Sequence, residues 1–495
     1  MSRVNERGRK MIQVSAAVAG GLALASVAQA NFISWGNTSN SSPPTAAQNW
    51  NIGSNWGGGN VPLATDTGGI GNGGVALVND SETITAFVVG NSAAGGGLYI
   101  ANGGSLTITD SNNPFRLINN GPVSGTVEAG GTLSATSGTV GIGTNSTGAP
   151  ATFTSAGTVS ASYVTVANSG VYNMTGGSLT VSRTYGSLLL GGSGAGTFNQ
   201  SGGTNTNGSG QLELSPGGTY QIGGGSISMG STTGLYFYGA SSGSLGGTIQ
   251  VIGSGATGIT FGGVRYYNSY DQSNSKWSFV LDNSTAHITK IGFSANGSSG
   301  AVLRTSSTLS VGLNGGVLLS GTNAYTLIQR PTGATDTAWG TGPDGLWTDT
   351  TNTNGTSKQS ITVALAAAAD QGTLDATGNT ALSFSPTAYG YVNLSHINLS
   401  NPLSLYLDVT GGTLSHFTDA LTAAGITWAS VSGPYDVALT LNPSVSGGNY
   451  FAWDLSGIDP AMQVQGASLS IPEPASLILL VAGGLLMLPP RKRRA

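Results

Sequence analysis

The residues between Arg265 and Trp277 form the densest group of side chains that could bind a sugar. They bring one cation, one carboxylate and four aromatic rings together in Arg265, Tyr266, Tyr267, Tyr270, Asp271 and Trp277. Aromatic faces suit the C–H faces of pyranose rings, so these six are candidate saccharide-contact residues. An irregular loop between strands would have the same composition. We predict no catalytic residue, because a lyase or hydrolase site needs several carboxylates, or a carboxylate with Arg and Lys, converging on one groove.

Other residues that could bind ions are dispersed. His287, His396 and His416 lack the spacing of a metal site, and we expect them on exposed strand edges or loops. Oxygen ligands for calcium are available at Asp336, Asp344, Asp349, Asn352 and Asn354. These positions follow neither an EF-hand nor a nonapeptide calcium pattern. We therefore predict no metal site and no cofactor.

Composition narrows the class of protein. The chain has 495 residues and no cysteine, which excludes thiol catalysis and cysteine–metal sites. Residues 31–470 contain eight basic and 18 acidic side chains, a net charge of −10, so nucleic acid is not an expected partner. Glycine numbers 81, and short alternating runs of β-branched and aromatic residues recur between the glycines. This pattern predicts an all-β fold with glycine-rich turns.

Internal repeats support that prediction. The segment 97–109 aligns without gaps to segments 170–182, 196–208 and 218–230, and looser copies begin near Gly125 and Ala151. Each copy reads as strand, Gly-Gly turn, strand. We expect the aromatic residue at the third position to face inward, together with the Leu or Ile two residues after the glycine pair.

The spacing of these repeats fits one coil of a parallel β-helix, in which each coil buries its inner face against its neighbours. The copies begin at Gly97, Gly125, Ala151, Gly170, Gly196 and Gly218. Units of about 20 residues are too small to bury separate cores. The glycine pairs Gly103-Gly104, Gly176-Gly177 and Gly202-Gly203 are then expected along one corner. The alternative is a series of independent hairpins, or a sandwich.

The flanking regions have a different character. Trp35, Trp50 and Trp56 precede the repeats, with Val61-Pro62 after them. This run resembles the N-terminal segment of repeat-bearing surface proteins with autotransporter-like β-helices, which implies a cap. A sugar-stacking platform is the alternative.

Beyond the repeats we expect five strands, at 391–394, 403–409, 426–431, 435–441 and 450–455, with helices at Ile361–Asp370 and His416–Ala424. The predicted organisation is a signal peptide (1–30), a cap with the first coils (31–96), β-helical repeats (97–330), a linker (331–360), a β-sandwich-like domain (361–470) and a tail (471–495).

The tail has three parts. Pro472-Glu473-Pro474 precedes the apolar run Ala475–Leu488, and the basic cluster Arg491, Lys492, Arg493 and Arg494 follows. The apolar run favours lipid and the cations resist crossing the bilayer, so this pattern predicts a C-terminal membrane helix with a cytoplasmic end. The run is shorter than the roughly 20 residues that usually span a bilayer, which snorkelling arginines and local thinning could offset. A buried core helix is the alternative.

The tail resembles the PEP-CTERM sorting signal. The resemblance implies that an exosortase-type processing enzyme recognises Pro472, Glu473 and Pro474, and that Arg491–Arg494 forms the cytoplasmic stop. It also implies a bacterium that makes exopolysaccharide.

The N-terminus predicts export independently of the tail. A basic segment precedes the apolar run Val14–Val27, and Ala28-Gln29-Ala30 is a small-x-small cleavage site that places the mature start at Asn31. The sequence thus predicts an exported, non-catalytic cell-surface or extracellular-matrix protein that is at least transiently anchored in the inner membrane. Its expected partners are the processing enzyme, the membrane and extracellular polysaccharide. The alternatives are a carbohydrate-binding adhesin and a β-helical polysaccharide lyase or hydrolase.

Overall fold

The chain is mostly β-strand. The computed structural model describes residues 31–111, 115–144, 149–184, 187–207, 209–230, 234–238, 246–266, 275–284, 286–295, 307–313, 315–320, 324–330, 346–349, 360–365, 370–373, 380–394, 402–442 and 448–470. Within these ranges no helix has the length and apolar character needed to cross a membrane. The predicted membrane segment, Ala475–Leu488, lies outside them.

The strands are numbered in chain order. The first nineteen are β1 (Phe32–Ser34), β2 (Thr67–Ile70), β3 (Val75–Val78), β4 (Ser81–Ile84), β5 (Ala86–Val89), β6 (Gly96–Ile100), β7 (Ser105–Ile108), β8 (Phe115–Leu117), β9 (Val123–Val127), β10 (Thr132–Ile142), β11 (Ala151–Ser155), β12 (Thr158–Val166), β13 (Gly170–Met174), β14 (Ser178–Val181), β15 (Leu188–Leu190), β16 (Gly196–Asn207), β17 (Leu212–Leu214), β18 (Gly218–Met229) and β19 (Leu235–Phe237). The next ten are β20 (Thr248–Ile252), β21 (Ala256–Phe261), β22 (Val264–Tyr266), β23 (Lys276–Leu281), β24 (Ile291–Phe293), β25 (Thr308–Leu313), β26 (Gly315–Ser320), β27 (Ala324–Gln329), β28 (Trp347–Asp349) and β29 (Ser360–Leu365). The last eight are β30 (Asp370–Thr373), β31 (Thr380–Thr387), β32 (Tyr389–Asn393), β33 (Leu403–Thr410), β34 (Thr427–Ser430), β35 (Val437–Leu441), β36 (Gly448–Asp454) and β37 (Gln463–Ser470). Two 3-10 helices (Ala46–Gln48 and Gly53–Asn55) precede β2, and one α-helix, α1 (Leu414–Ala423), precedes β34.

A sheet of 28 mostly parallel strands contains β1–β25 and β27–β29. Its parallel pairings form three ladders, each named here by its strands. Ladder A is β3-β6-β9-β11-β13-β16-β18-β20-β23-β25. Ladder B is β4-β7-β10-β12-β14-β16-β18-β21-β24-β27. Ladder C is β1-β2-β5-β8-β10-β12-β15-β17-β19-β22. The longer strands β10, β12, β16 and β18 bend and contribute to two ladders each.

The chain visits ladders A, B and C in turn and then returns to A. The starts of successive ladder-A strands are closest at Ala151 and Gly170, and they are farthest apart at Lys276 and Thr308. The strands on either side of each glycine pair bond to strands of the preceding and following turns and not to each other. The independent-hairpin alternative is therefore wrong. A large parallel sheet with this repeat fits a parallel β-helix.

Aromatic rings stack along the interior. The side chains of Phe115, Phe153, Tyr172, Phe198 and Tyr220 are fully buried. Neighbouring ring centroids lie 5.9, 4.9, 4.4 and 5.0 Å apart in that order. Aromatic pairs at these distances add about 0.5–1.5 kcal/mol beyond the area they bury. Phe153, Tyr172, Phe198 and Tyr220 occupy matching positions on consecutive ladder A strands, and Phe115 of ladder C contacts Phe153 across the interior, so the core is continuous through these turns.

Glycine pairs also stack, at the corner between ladders A and B. Ser178 N donates to Gly157 O at 3.1 Å, and Thr204 N donates to Gly177 O at 3.0 Å, so each turn bonds to the one before it. Gly177 has a φ of +65° and Gly203 a φ of +72°. The predicted alignment of the glycine pairs along one corner is confirmed.

The register differs from the gap-free alignment in one repeat. Leu98, not Tyr99, lies in the column of Phe153 and Tyr172, and the Tyr99 hydroxyl donates outside the core to the carboxylate of Glu128. Between Leu98 and Leu106 the chain has one more residue than between Tyr172 and the matching Leu179. The additional residue in the turn reverses the phase of the strand before it, since side chains alternate between faces. The prediction that Tyr99 faces inward is wrong.

Three tryptophans cover the N-terminal end. Trp35, Trp50 and Trp56 are at most 2% exposed, and Trp56 packs edge-on against the other two at 4.8 and 4.6 Å. Trp50 also contacts Phe87, with ring centroids 5.1 Å apart. The cap prediction is confirmed. The alternative of a sugar-stacking platform is wrong, because the ring faces are used inside the protein.

The C-terminal region contains a four-stranded sheet (β26-β36-β32-β30) and a five-stranded sheet (β31-β37-β33-β35-β34). Phe417 and Leu421 of α1 form one buried core with Leu405, Leu439 and Phe451 of the sheets. The helix predicted at His416–Ala424 and all five predicted strands are present. The helix predicted at Ile361–Asp370 is wrong, because 361–365 alternates between buried and half-buried residues and pairs antiparallel with β27.

The two parts of the fold interleave in sequence. β26 follows β25 of ladder A but pairs with β36 of the four-stranded sheet. β29, which lies at the predicted start of the C-terminal domain, instead pairs with β27 of the large sheet. Asn283 bridges the parts: its amide donates to Ala424 O at 2.9 Å and accepts from Leu318 N at 2.7 Å. The predicted domain boundary near residue 361 therefore does not coincide with a boundary between the large sheet and the two C-terminal sheets.

The glycine corner yields a stability prediction. A Cβ on Gly177 would lie 1.9 Å from Gly157 O, and its positive φ adds strain for any L side chain. We expect Gly177→Ala to lower the free energy of unfolding by about 2 kcal/mol or more, measured by denaturant unfolding. Gly258→Ala is the matched control, because a Cβ there has nothing within 4 Å. Equal stability of the two variants would contradict the stacked corner.

Candidate functional site

The predicted saccharide-contact residues do not form one exposed group. Trp277 is fully buried, with its ring 5.3 Å from Phe237 and 6.3 Å from Phe293. Tyr266 is 8% exposed and stacks on Phe237 at 5.3 Å. The saccharide-contact prediction is wrong for these two rings, because strand alternation turns both inward. Of the three candidates that the structure describes, only Arg265 is on the surface; Tyr267, Tyr270 and Asp271 lie outside the described residues.

Arg265 instead belongs to a cluster on the outer face of ladder C. Leu189, Glu213, Tyr236 and Arg265 occupy the same outward position on four consecutive strands. The Arg265 guanidinium lies 5.2 Å from the centroid of the Tyr236 ring. A second pair flanks the column, where Arg183 lies 5.0 Å over the ring of Tyr163. Cation–π contacts of this kind hold both guanidinium groups against the surface.

Glu213 carries the one negative charge of that column. Burial raises the pKa of its carboxyl group, and the positive charge of Arg183 acts in the opposite direction. No second carboxylate lies in the column, so it does not provide the pair of acids that glycoside hydrolysis requires. Tyr236 is 8% exposed and has the Arg265 guanidinium over its ring, so it is poorly placed for a sugar to stack on.

Sequence reasoning missed Glu213 and Tyr236 because they belong to different turns and are distant in the sequence. A signal was nevertheless present. Each is the middle residue of a three-residue strand whose outer residues are apolar, as in Leu212-Glu213-Leu214 and Leu235-Tyr236-Phe237. The middle position of such a strand faces outward.

One group brings serine, histidine and aspartate together without forming a catalytic triad. The Asp282 carboxylate accepts hydrogen bonds from the backbone N of Ser254 and of Ser284, at 2.9 and 3.0 Å, and from both hydroxyls. The His287 imidazole instead meets the backbone carbonyl of Asp282, with Nδ1 2.8 Å from the oxygen. In a catalytic triad the aspartate carboxylate orients the imidazole, whereas here the backbone carbonyl of Asp282 does so.

The histidine and metal predictions have mixed outcomes. His287 is 1% exposed, so its predicted exposure is wrong. His416 is exposed, with Nδ1 3.6 Å from the Asp459 carboxylate, while His396 lies outside the described residues. In the part of the chain that the structure describes, no group of three His, Cys, Asp or Glu could hold a metal. Asp349 ends β28, and the other four candidate calcium ligands are outside this part.

The outer face of ladder B is chemically uniform. On its strands from β4 to β21, all but one of the outward positions carry a hydroxyl, and Gly258 is the exception. We call these residues the hydroxyl face: Ser81, Thr83, Ser105, Thr107, Thr132, Ser134, Thr158, Ser160, Ser178, Thr180, Thr204, Thr206, Ser226, Ser228 and Thr260.

The hydroxyl face is a regular two-column array. Strand geometry sets its spacing at about 4.8 Å between strands and about 6.7 Å between columns. All its members are exposed or half-buried, while the residues between them, such as Leu106, Val159 and Leu179, are buried. Ser105 Oγ lies 3.1 Å from Ser81 Oγ. Within the described strands of ladder B, the array contains no charged residue, unlike the outer face of ladder C.

Compared with known protein families and with curated proteins, the chain has no match.

Glu213 yields a pH prediction. Because burial raises its folded-state pKa, ionisation opposes folding, and stability is lost as pH rises through that pKa. We expect Glu213→Gln to be more stable than the wild type at pH 7 and equally stable near pH 3.5, where the wild-type carboxyl is protonated. Denaturant unfolding at both values measures this. A variant less stable than the wild type at pH 7 would show that the Arg183 interaction outweighs burial.

Proposed function

We propose that the protein is an exported, non-catalytic cell-surface or extracellular-matrix protein built on a parallel β-helix with a β-sandwich-like C-terminal domain. The observation that carries the proposal is the large parallel sheet, whose turns repeat without bringing a catalytic group together in the described residues. Glu213 has no acidic partner in its column, and the Asp282 carboxylate is used within a turn. A regular outer surface and a continuous core suit a protein that acts by exposing that surface outside the cell.

Export is supported by both ends of the sequence. Residues 1–30 have the three parts of a signal peptide, and the tail resembles a PEP-CTERM signal. In this proposal the membrane holds Ala475–Leu488 at least transiently, Arg491–Arg494 stays cytoplasmic, and an exosortase-type enzyme processes the chain at Pro472-Glu473-Pro474. The absence of cysteine means that the exported body folds without disulfides.

A carbohydrate-binding adhesin is the second candidate. The hydroxyl face favours it, because a regular outer array without charge suits recognition more than catalysis. A polysaccharide lyase or hydrolase has less support, since the single carboxylate of the ladder C column has no acidic partner in that column.

Signal-peptide cleavage gives one prediction. The exported protein should begin at Asn31, because Ala28 and Ala30 occupy the small-residue positions of the cleavage site. N-terminal sequencing of the exported chain measures this. A chain that retains Met1, or that begins inside β2, would contradict the signal peptide.

The tail gives another prediction. Pro472 and Pro474 prevent regular helix around Glu473, which leaves the segment extended and accessible to a processing enzyme. Glu473→Ala should insert normally but remain unprocessed, so full-length protein should accumulate in the membrane fraction. Neutral replacements at Arg491–Arg494 should instead impair retention, because the cytoplasmic stop is lost. Fractionation and immunoblotting distinguish these results. Normal processing of Glu473→Ala would reduce the tail to an anchor.

A further inference from the structure

The fold alone does not require a hydroxyl at every outward position of ladder B. A solvent-facing strand position can also carry a charged residue, and ladder C has Arg116, Glu213 and Arg265 at such positions. Ladder B has only hydroxyls and one glycine there over eight consecutive strands. The surface between ladders A and B is also low, because the stacked glycine pairs carry no side chains. A long ligand could therefore lie on the array without obstruction.

The array combines many weak groups in a fixed order. A hydroxyl both donates and accepts, so the face matches a partner that is itself rich in hydroxyls. Each exposed hydrogen bond contributes little, since it replaces one made to water. Useful affinity requires a partner that engages many turns at once, and such a partner must repeat along its length. The face extends about 34 Å along the ladder at the usual strand spacing.

Charge limits the class of partner further. The hydroxyl face carries no cation to pair with carboxylates or sulfates, and residues 31–470 have a net charge of −10. An anionic polymer would be repelled and would gain no ion pair in return. A neutral partner meets no such penalty.

We propose that the hydroxyl face binds a neutral, extended polysaccharide chain that lies along ladder B. The proposal rests on the extracytoplasmic location proposed above. A single flexible chain is favoured over an ice lattice because serine and threonine mix irregularly in both columns. The methyl groups of Thr204 and Thr206 adjoin Ser178, Ser226 and Ser228, so the surface is uneven in height. A chain can adjust to this relief, whereas a rigid lattice cannot.

The test uses the full-length chain, solubilised in a detergent without sugar groups. Native electrophoresis through gels containing hydroxyethyl cellulose measures the association constant, with alginate as the anionic probe. Retardation is expected in the neutral gel and not in alginate. Thr180→Val, Thr204→Val and Thr206→Val together remove three exposed hydroxyls but keep the side-chain shape. This triple variant should bind at least about tenfold more weakly.

Two matched variants separate binding from folding. Threonine to valine at Thr152, Thr197 and Thr219 makes the same chemical change at outward positions of ladder A and should leave binding within about twofold. Threonine to serine at Thr180, Thr204 and Thr206 keeps the hydroxyls and should retain binding. Thermal unfolding of each variant confirms that the fold is intact.

Three results would overturn the proposal: no retardation of the wild type in the neutral gel, stronger retardation in alginate, or equal loss of binding in the ladder A variant. Partitioning into ice without retardation in the neutral gel would assign the array to ordered water instead. None of these results bears on export, because the purified chain is tested in vitro. Conversely, a chain that binds hydroxyethyl cellulose but stays in the cytoplasm would contradict the proposed function alone.

Discussion

Each strand of the three ladders takes its backbone hydrogen bonds from strands one turn before and one turn after it. A turn consequently has no core of its own, and its inward residues are buried only when the neighbouring turns are in place. In the interior, the rings from Phe115 to Tyr220 are buried by contact with rings on other strands. At the glycine corner, the backbones of neighbouring turns are in contact, and Gly177 approaches Gly157 too closely for any side chain.

The same dependence makes the end turns vulnerable, since each leaves a strand edge without a partner. At the N-terminal end, the three tryptophans close the interior. Glu82 of β4 pairs with Leu106 of β7, which is buried, so Glu82 occupies an inward-facing position of the first turn. Burial raises the pKa of Glu82, which reflects the cost of placing a carboxylate there. That cost would also oppose the docking of another strand on this edge. At the other end β29 pairs antiparallel with β27 and so interrupts the parallel series.

Much of this fold follows from periodicity. The glycine pairs, the strand–turn–strand units and the tryptophan cap are local patterns, and the sequence predicts them without knowledge of distant contacts. The sequence is less informative about which face of a strand each residue occupies and about which strands pair. One additional turn residue moved Tyr99 to the surface, and Trp277 turned inward because its strand alternates with exposed Lys276. The pairing of β26 with β36 joins segments that are far apart in the chain, and no local pattern encodes it. The columns of ladders B and C became visible only when the register aligned residues from separate turns.

The position of β37 has a mechanical consequence. This final strand lies inside the five-stranded sheet, paired antiparallel with β31 on one side and β33 on the other. A tensile load applied beyond Ser470 would act along β37 and shear two sets of hydrogen bonds together, a harder geometry than peeling an edge strand one bond at a time. From the C-terminal sheets the load would reach the large sheet through β26, which is covalently continuous with ladder A. If the tail tethers the protein to a cell, this arrangement lets the fold bear force without a covalent cross-link.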